Sequence, residues 1–135
     1  MSGKYFAGLV LVALLSGSIL GIVSVTSSSL PKMTREELAK YDGSNGKSYL
    51  AMGGLVFDVS ESPNYQKGGG YSMFAGKDAT LALGKMSFDP QWLELTEDDV
   101  EMSEGLRSSI QGWKEFYEEK YPVVAELVKS QKQEL

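Results

Sequence analysis

The chain has 135 residues, with 13 lysines and arginines against 18 aspartates and glutamates, and it contains neither histidine nor cysteine. The missing cysteines exclude disulfides and thiolate metal ligands. The missing histidines exclude imidazole as a general base, a zinc ligand, a haem ligand or the partner of a nucleophilic side chain. A net charge of -5 argues against nucleic-acid binding, since contacts to phosphates need a basic face.

The N-terminal part of the chain is apolar. Residues 5–31 carry no charge, and residues 6–25 form an apolar run whose length matches the hydrocarbon core of a bilayer. The run is longer than the apolar core of a typical secretory signal, which favours a retained anchor. Val25 and Ser27, however, are small enough for a cleavage site. We therefore expect residues 1–30 to form a signal anchor or transmembrane helix, with a cleaved signal peptide as the alternative.

Two signals bear on location, and they disagree about topology. Lys32 and Arg35 follow the apolar run while only Lys4 precedes it, which favours a cytoplasmic C-terminal domain. The last four residues of the tail 130–135, KQEL, resemble the KDEL-type retrieval signal, which a receptor reads in the lumen. Both indicate the endomembrane system. We expect a single-pass protein of the endoplasmic reticulum, with a lumenal or secreted protein as the alternative.

Residues 31–129 are expected to form one domain. Its first helix is predicted in MTREELAKYDG, where Thr34 and Glu37 have the spacing of a capping box, and is expected to end at Gly43. Next, SYLAMGGLVFDVS is apolar on both sides of residues 53–54. This pattern predicts a β-hairpin with a tight glycine turn.

Loop and helical patterns fill the rest of the domain. After the loop ESPNYQKGGG, a short helix is predicted in DATLALGKM, with Asp78 near its start and Gly84 at its end. The longest helix is predicted in SEGLRSSIQGWKEFYEEKY, capped by Ser103 and stopped by Pro122, because apolar residues recur every three or four positions. Three residues of its apolar face are expected in the core: Leu106, Trp113 and Phe116. The order of elements indicates an α+β domain.

An acidic stretch, ELTEDDVEMSE, covers residues 94–104 and contains no base. We interpret it as a solvated loop and helix start. A calcium site is the alternative, but the spacing of the carboxylates fits no loop with a mechanical rationale.

Five segments between residues 33 and 128 together resemble a known family. They are MTREELAKYDG, YLAMGGLVFDVS, NYQKGGGYSMFAGKDAT, KMSFDP and EFYEEKYPVV. Their order and approximate spacing are similar to those of the membrane-associated progesterone receptor family, a branch of the cytochrome b5-like haem/steroid-binding fold that also includes neudesin. The resemblance implies a cytochrome b5-like haem/steroid-binding domain preceded by one N-terminal transmembrane helix.

The family resemblance also implies a cofactor and its ligands. It implies non-covalent haem b with five-coordinate ferric iron, and it assigns Tyr71 as the tyrosinate axial ligand. Tyr65 would support the haem by hydrogen bonding, and Lys120 and Tyr121 would face the haem edge and propionates. A phenolate is a hard anionic donor suited to ferric iron, and a lysine complements a propionate. Glycines in the loop would let the backbone approach a flat macrocycle.

The loop between the two tyrosines departs from the family pattern. Relatives carry Tyr-Gly-Pro-x-Gly-Pro-Tyr, whereas this chain has Gln66, Lys67 and the glycines 68–70 between Tyr65 and Tyr71, with the same spacing. A glycine-rich loop is looser in the free state and costs more to order. The resemblance therefore implies weaker haem affinity than in relatives, or a pocket that is ordered only when filled.

The function implied by the resemblance is that of a membrane-anchored, non-catalytic haem-binding module. Steroid or sterol ligands, cytochrome P450 partners and a haem-mediated homodimer are implied in the same way. A second hypothesis is a lumenal or secreted neudesin-like signalling factor, with or without haem. A redox enzyme or electron carrier is the third, and the missing histidine argues against it. Met73 and Met86 could ligate iron in principle, but methionine is more often a core filler.

Overall fold

A four-stranded sheet organises residues 29–129, the part of the chain that the computed structural model describes. Its strands are β1 (Lys32–Met33), β2 (Tyr49–Met52), β3 (Leu55–Asp58) and β4 (Val123–Leu127), in the spatial order β1-β4-β3-β2. β1 runs parallel to β4, and the other neighbours are antiparallel. The predicted α+β class is confirmed.

The described residues also contain four α-helices and three short 3₁₀ turns. The helices are α1 (Arg35–Leu38), α2 (Thr80–Gly84), α3 (Gln91–Glu94) and α4 (Glu104–Lys120). The 3₁₀ turns cover Pro63–Tyr65, Ser72–Phe74 and Glu97–Asp99. The sequence did not predict β1 and α3, because elements of two and four residues are too short to display a period.

The predicted anchor at residues 1–30 and the predicted tail at 130–135 lie outside the described residues, except for positions 29 and 30. None of the helices between residues 29 and 129 has the length and hydropathy needed to cross a membrane. The same residues contain no group of three or more histidine, cysteine, aspartate or glutamate side chains that could hold a metal ion. The calcium alternative for residues 94–104 therefore finds no ligand cluster in the described structure.

The predicted helix starts are confirmed, but the first helix ends earlier than predicted. Thr34 accepts a hydrogen bond from the Glu37 backbone at 3.2 Å, and the Glu37 carboxylate accepts one from the Thr34 backbone at 3.0 Å. Ser103 caps α4 in a similar way, accepting from the backbone of Leu106 at 3.1 Å. The expected end at Gly43 was wrong: α1 ends at Leu38, because the chain then turns into a β-bridge between residues 42 and 48.

The hairpin of β2 and β3 contributes side chains to two hydrophobic cores. Gly53 and Gly54 have φ values of 61° and 88°, which confirms the predicted glycine turn between β2 and β3. Side chains then alternate along β2. Leu50 and Met52 face the larger core beneath the helices, and Tyr49 and Ala51 face a smaller core beside α1. The sheet thus separates the two clusters.

One expectation about the face of α4 was wrong. Ile110 and Tyr117 are buried, and Leu106 and Trp113 pack at the edge of the larger core. Phe116, expected in the core, is 45% exposed. Adjacent residues on a helix point about 100° apart, and Tyr117 takes the inward direction at this turn. Phe116 is left at the side of the helix, where it lines a cavity.

Arg35 links the start of the domain to its centre. Its guanidinium donates to the backbone carbonyls of Glu94 and Leu95 at 3.3 and 3.0 Å, and to the carboxylate of Asp78 at 3.2 Å. Asp78 in turn accepts bonds from the backbone and hydroxyl of Thr80 at 3.1 and 2.6 Å. This network fixes the start of α2 and the end of α3.

We expect Arg35→Met to lower the free energy of unfolding by about 1–2 kcal/mol, because two carbonyls lose the guanidinium donor and the largely buried Asp78 carboxylate loses its ion-pair partner. Chemical denaturation of the two proteins measures this difference. Lys32→Met is the control. The Lys32–Glu126 ion pair has side chains that are 57% and 45% exposed, so its loss should cost less than about 0.5 kcal/mol. Equal losses in both variants would contradict the assignment.

Candidate functional site

A cavity of about 390 Å³ lies between the glycine-rich loop, α2 and α4, a volume within the range of small-molecule sites. Its walls are predominantly aromatic. The aromatic side chains that line it are Tyr65, Tyr71, Phe74, Phe88, Trp113, Phe116, Tyr117 and Tyr121. Such walls suit a flat apolar molecule, and the tyrosine hydroxyls add a few polar groups that can orient it.

The glycine-rich loop is shaped by its own backbone. The Tyr71 amide donates to the carbonyl of Asn64 at 2.8 Å, which folds the loop back on itself. A Cβ at Gly69 would lie 2.3 Å from the carbonyl oxygen of Pro63, so only glycine fits there. Gly68 has a φ of +88°, whereas a Cβ at Gly70 would meet nothing within 4 Å. Two of the three glycines are therefore needed to fold the loop itself.

Two tyrosines close the inner end of the cavity. The hydroxyls of Tyr65 and Tyr117 lie 2.6 Å apart in a hydrogen bond, and the two residues are 5% and 2% exposed. Burial raises the pKa of Tyr117 to about 12. Burial, followed by the bond to Tyr117, raises the pKa of Tyr65 as well. Both phenols therefore resist ionisation more strongly than an ordinary tyrosine, whose pKa is about 10.

Tyr71 differs from these two tyrosines in its exposure. Its ring stacks with the rings of Phe74 and Phe88 at centroid distances of 5.9 and 6.0 Å. It also lies 5.9 Å from the ring of Tyr65. The residue nevertheless remains 40% exposed. Tyr71 is therefore positioned by aromatic neighbours at the mouth of the cavity rather than buried in the core.

Lys120 and Tyr121 complete the wall at the end of α4. The Lys120 ammonium lies 5.3 Å from the ring centroid of Phe116 and 5.6 Å from that of Tyr121. The Tyr121 ring packs edge-on against Tyr65 at 6.1 Å and lies 5.4 Å from the ring of Tyr117. The lysine places a positive charge beside an aromatic surface, a position from which it can pair with an anionic ligand group.

The structure brings all four sequence-predicted site residues to one cavity: Tyr65, Tyr71, Lys120 and Tyr121. Their roles toward a cofactor stay predictions. Tyr117 was missed, although its spacing of four residues from Tyr121 places both on one side of α4. Phe88 was missed because no helical or strand period includes it. Met86 lines the cavity.

The chain matches one protein family over most of the described range. Residues 34–127 match the family described as Cytochrome b5-like Heme/Steroid binding domain. The relative named Probable steroid-binding protein 3, from Arabidopsis thaliana, is 43% identical over 105 residues, covering 72% of this chain and 98% of the relative. The human protein named Membrane-associated progesterone receptor component 2 is 36% identical over 111 residues, covering 76% of this chain and 50% of the relative.

Other relatives are longer than the matched region. Membrane steroid-binding protein 2 from Oryza sativa is 44% identical over 101 residues, which cover 73% of this chain and only 37% of the rice protein. Cytochrome P450 regulator dap1 from Schizosaccharomyces pombe is 36% identical over 102 residues, covering 70% of this chain and 61% of the relative. The similarity to these proteins is therefore limited to the cytochrome b5-like domain.

A solved structure agrees with the sequence match. An Arabidopsis thaliana protein described as having a cytochrome b5 like fold superposes with a TM-score of 0.64 at 37% identity. The superposition covers 77% of this chain and 96% of that protein. The expected cytochrome b5-like fold is therefore confirmed.

We expect Tyr117→Phe to reduce stability by about 1 kcal/mol at neutral pH, because Tyr65 loses its buried partner. The native pKa of Tyr117, about 12, exceeds the value of about 10 for an unfolded tyrosine. The stability that the neutral phenol contributes is therefore complete below about pH 10 and is lost as the pH rises toward 12. Denaturation at several pH values should show the variant and the parent converging over this interval. A difference that stays constant would contradict this assignment.

The loop gives a second prediction with a matched control. Gly69→Ala should lower the free energy of unfolding by about 1–3 kcal/mol, because the new Cβ would clash with the carbonyl of Pro63. Gly70→Ala adds the same methyl group to open space one residue away and should stay within about 0.5 kcal/mol of the parent. Urea denaturation compares the three proteins. If both variants lose the same stability, the close approach at Gly69 is not what shapes the loop.

Proposed function

Because the chain belongs to the membrane-associated progesterone receptor branch of the cytochrome b5-like haem/steroid-binding family, we propose that it binds haem in the aromatic cavity, with the Tyr71 phenolate as axial ligand. The cofactor in this proposal is haem b, held without covalent bonds, with ferric iron in five coordination. The protein acts as a non-catalytic binding or regulatory module.

The observation that carries this proposal is that the cavity tyrosines differ in burial and in the hydrogen bonding of their hydroxyls. Tyr65 and Tyr117 are buried, and each hydroxyl is occupied by the other. Burial favours the neutral phenol, and a neutral phenol is a poor iron ligand. Tyr71 lines the same cavity but is 40% exposed, and no side-chain hydrogen bond holds its hydroxyl within the described residues. Of these three tyrosines, Tyr71 is the one whose side chain is exposed and whose hydroxyl is not already paired, which leaves it accessible to an iron ion.

The remaining residues of the cavity fit the same group. The chain has no imidazole and no thiol, so histidine and cysteine ligands are excluded by composition. Phenolate is an established ligand of ferric haem. The aromatic walls match the faces of a planar macrocycle, and Lys120 offers a charge to a propionate at the rim.

Each of the chain's residues has a separate task in this proposal. Bound haem supplies a ferric iron and a wide apolar face. Tyr71 supplies the anionic oxygen. In this proposal Tyr65, whose ring centroid lies 5.9 Å from that of Tyr71, donates a hydrogen bond to that oxygen, and Tyr117 is the donor in the bond between the two buried hydroxyls. Lys120 and Tyr121 orient the edge of the group. Phe74 and Phe88, which stack with the Tyr71 ring, keep that ring in place and shield one face of it from water.

The cellular role follows the names of the relatives. We propose a steroid or sterol as a further ligand, since similar proteins are named as steroid-binding proteins. A cytochrome P450 is the proposed partner, since one relative is named as a P450 regulator. We further propose an endomembrane location with residues 1–30 as an anchor, in line with the relatives named as membrane proteins. A homodimer formed through the open face of the haem is part of the same proposal.

We expect the full-length chain to bind added hemin and to give the absorption spectrum of high-spin ferric haem with an anionic oxygen ligand. Tyr71→Phe keeps the aromatic packing but removes the donor atom. Hemin affinity should therefore fall at least about 10-fold, and the oxygen-ligated spectrum should disappear. Spectrophotometric titration measures both effects.

The control is Tyr41→Phe, which removes a hydroxyl from a tyrosine stacked on Tyr49 in the smaller core, away from the cavity. This variant should bind hemin as the parent does. If Tyr71→Phe retains the parent's affinity and spectrum, the ligand assignment is wrong. If the parent binds no hemin, the haem proposal is wrong as a whole.

A further inference from the structure

Met86 has a backbone conformation that favours glycine. Its φ is +54°, and within residues 29–129 no other residue apart from glycines has a positive φ. The Met86 amide donates to the carbonyl of Leu83 at 3.0 Å, and the Ser87 amide donates to that of Ala82 at 2.9 Å. These two bonds form the Schellman motif that ends α2, and Met86 occupies the left-handed position at which helices usually carry glycine. A side chain at this position strains the backbone.

Packing within the protein does not offset this strain. Met86 is 78% exposed, the largest exposed fraction among the large exposed hydrophobic residues of the described range. A methionine so exposed gains almost nothing from burial. The position therefore combines an unfavourable backbone conformation with an apolar side chain in water. A residue that is costly in the free protein on two counts points to a function in a bound state.

The surroundings of Met86 place it beside the cavity on a fixed support. Met86 lines the aromatic cavity, two residues before Phe88, which is 57% exposed. The end of α2 is tied to α4 by the Ser109 hydroxyl, which donates to the carbonyl of Gly84 at 2.8 Å. A Cβ at Gly84 would lie 2.6 Å from the Ile110 side chain, so the two helices are in close contact. The backbone at Met86 is thus held in place while its side chain is exposed beside the cavity.

We propose that Met86 is a ligand-contacting residue whose side chain packs over the outer face of the planar apolar molecule bound in the cavity. This inference rests on the proposed function for the location of that molecule, but it does not need Tyr71 to be the iron ligand. Methionine suits the task because it is unbranched and adapts to an irregular apolar surface. The contact is one of packing, since a soft thioether is a poor match for ferric iron, which is a hard ion.

The proposal predicts opposite effects on stability and binding. In Met86→Gly, the ligand-free full-length chain should melt about 2–4 °C higher than the parent, because glycine relieves the strain at this position. The same variant should bind hemin about 3- to 10-fold more weakly, because the apolar contact is lost. Met86→Leu is the matched control, since it keeps both the strain and the apolar bulk but lacks sulfur. It should melt with the parent and bind hemin within about twofold of it.

Each alternative outcome is informative. If Met86→Gly binds hemin as tightly as the parent, Met86 does not contact the ligand. If Met86→Leu loses as much affinity as Met86→Gly, the sulfur ligates iron and the packing role is wrong. If the parent binds hemin in a manner that depends on Tyr71 but not on Met86, only the present inference fails. If the parent binds no hemin, the proposed function fails and this inference fails with it.

Discussion

The hydrogen bond between the buried hydroxyls of Tyr65 and Tyr117 is the interaction on which the site depends. It joins the glycine-rich loop to the last turn of the long helix, and the two tyrosines are 52 residues apart in the chain. Because each phenol is the other's partner, two hydroxyls can be buried at the inner end of an aromatic cavity without either being left unpaired. The loop is thereby anchored at one tyrosine, and Tyr71 six residues later is left at the mouth.

This arrangement separates the tyrosines of one small cavity by function. Two are structural, since burial keeps them neutral and bonded to each other. The Tyr71 ring is held by aromatic contacts, and within residues 29–129 no side-chain hydrogen bond is made by its hydroxyl. The same division applies to the apolar residues. Phe74 is buried and supports the site, whereas Phe88, Phe116 and Met86 remain exposed around the opening. Exposed aromatic and methionine side chains around a cavity are the expected surface for a large, flat, apolar ligand.

The sequence was sufficient for features specified by local chemistry. The capping box at Thr34 and Glu37, the glycine hairpin and the long helix each depend on residues within one turn or one period, and all three were predicted. The sequence was insufficient where a tertiary contact determines the partner or the burial of a residue. The pairing of Tyr65 with Tyr117 cannot be read from two positions so far apart in the chain. Phe116 was expected in the core because the helical period alone does not distinguish it from its neighbour.

The glycines of the loop have a different role from the one that the sequence indicated. In the sequence they suggested an approach of the backbone to a cofactor. In the fold, Gly68 and Gly69 serve the loop's own turn and its contact with Pro63 and Asn64, and Gly70 faces open space. The strain that accompanies function is found elsewhere, at Met86, where the helix-ending motif would ordinarily take a glycine. No sequence period marks that position, because the left-handed backbone results from how α2 ends.

The central claim is that a phenolate oxygen from Tyr71 binds ferric iron in a chain without histidine. Resonance Raman spectroscopy of the hemin-loaded full-length chain tests it most directly, with excitation in the charge-transfer band between phenolate and iron. The account predicts vibrations of an iron-bound phenolate that shift when the protein is labelled with ring-deuterated tyrosine. A spectrum that contains porphyrin vibrations alone, unchanged by the label, would contradict it.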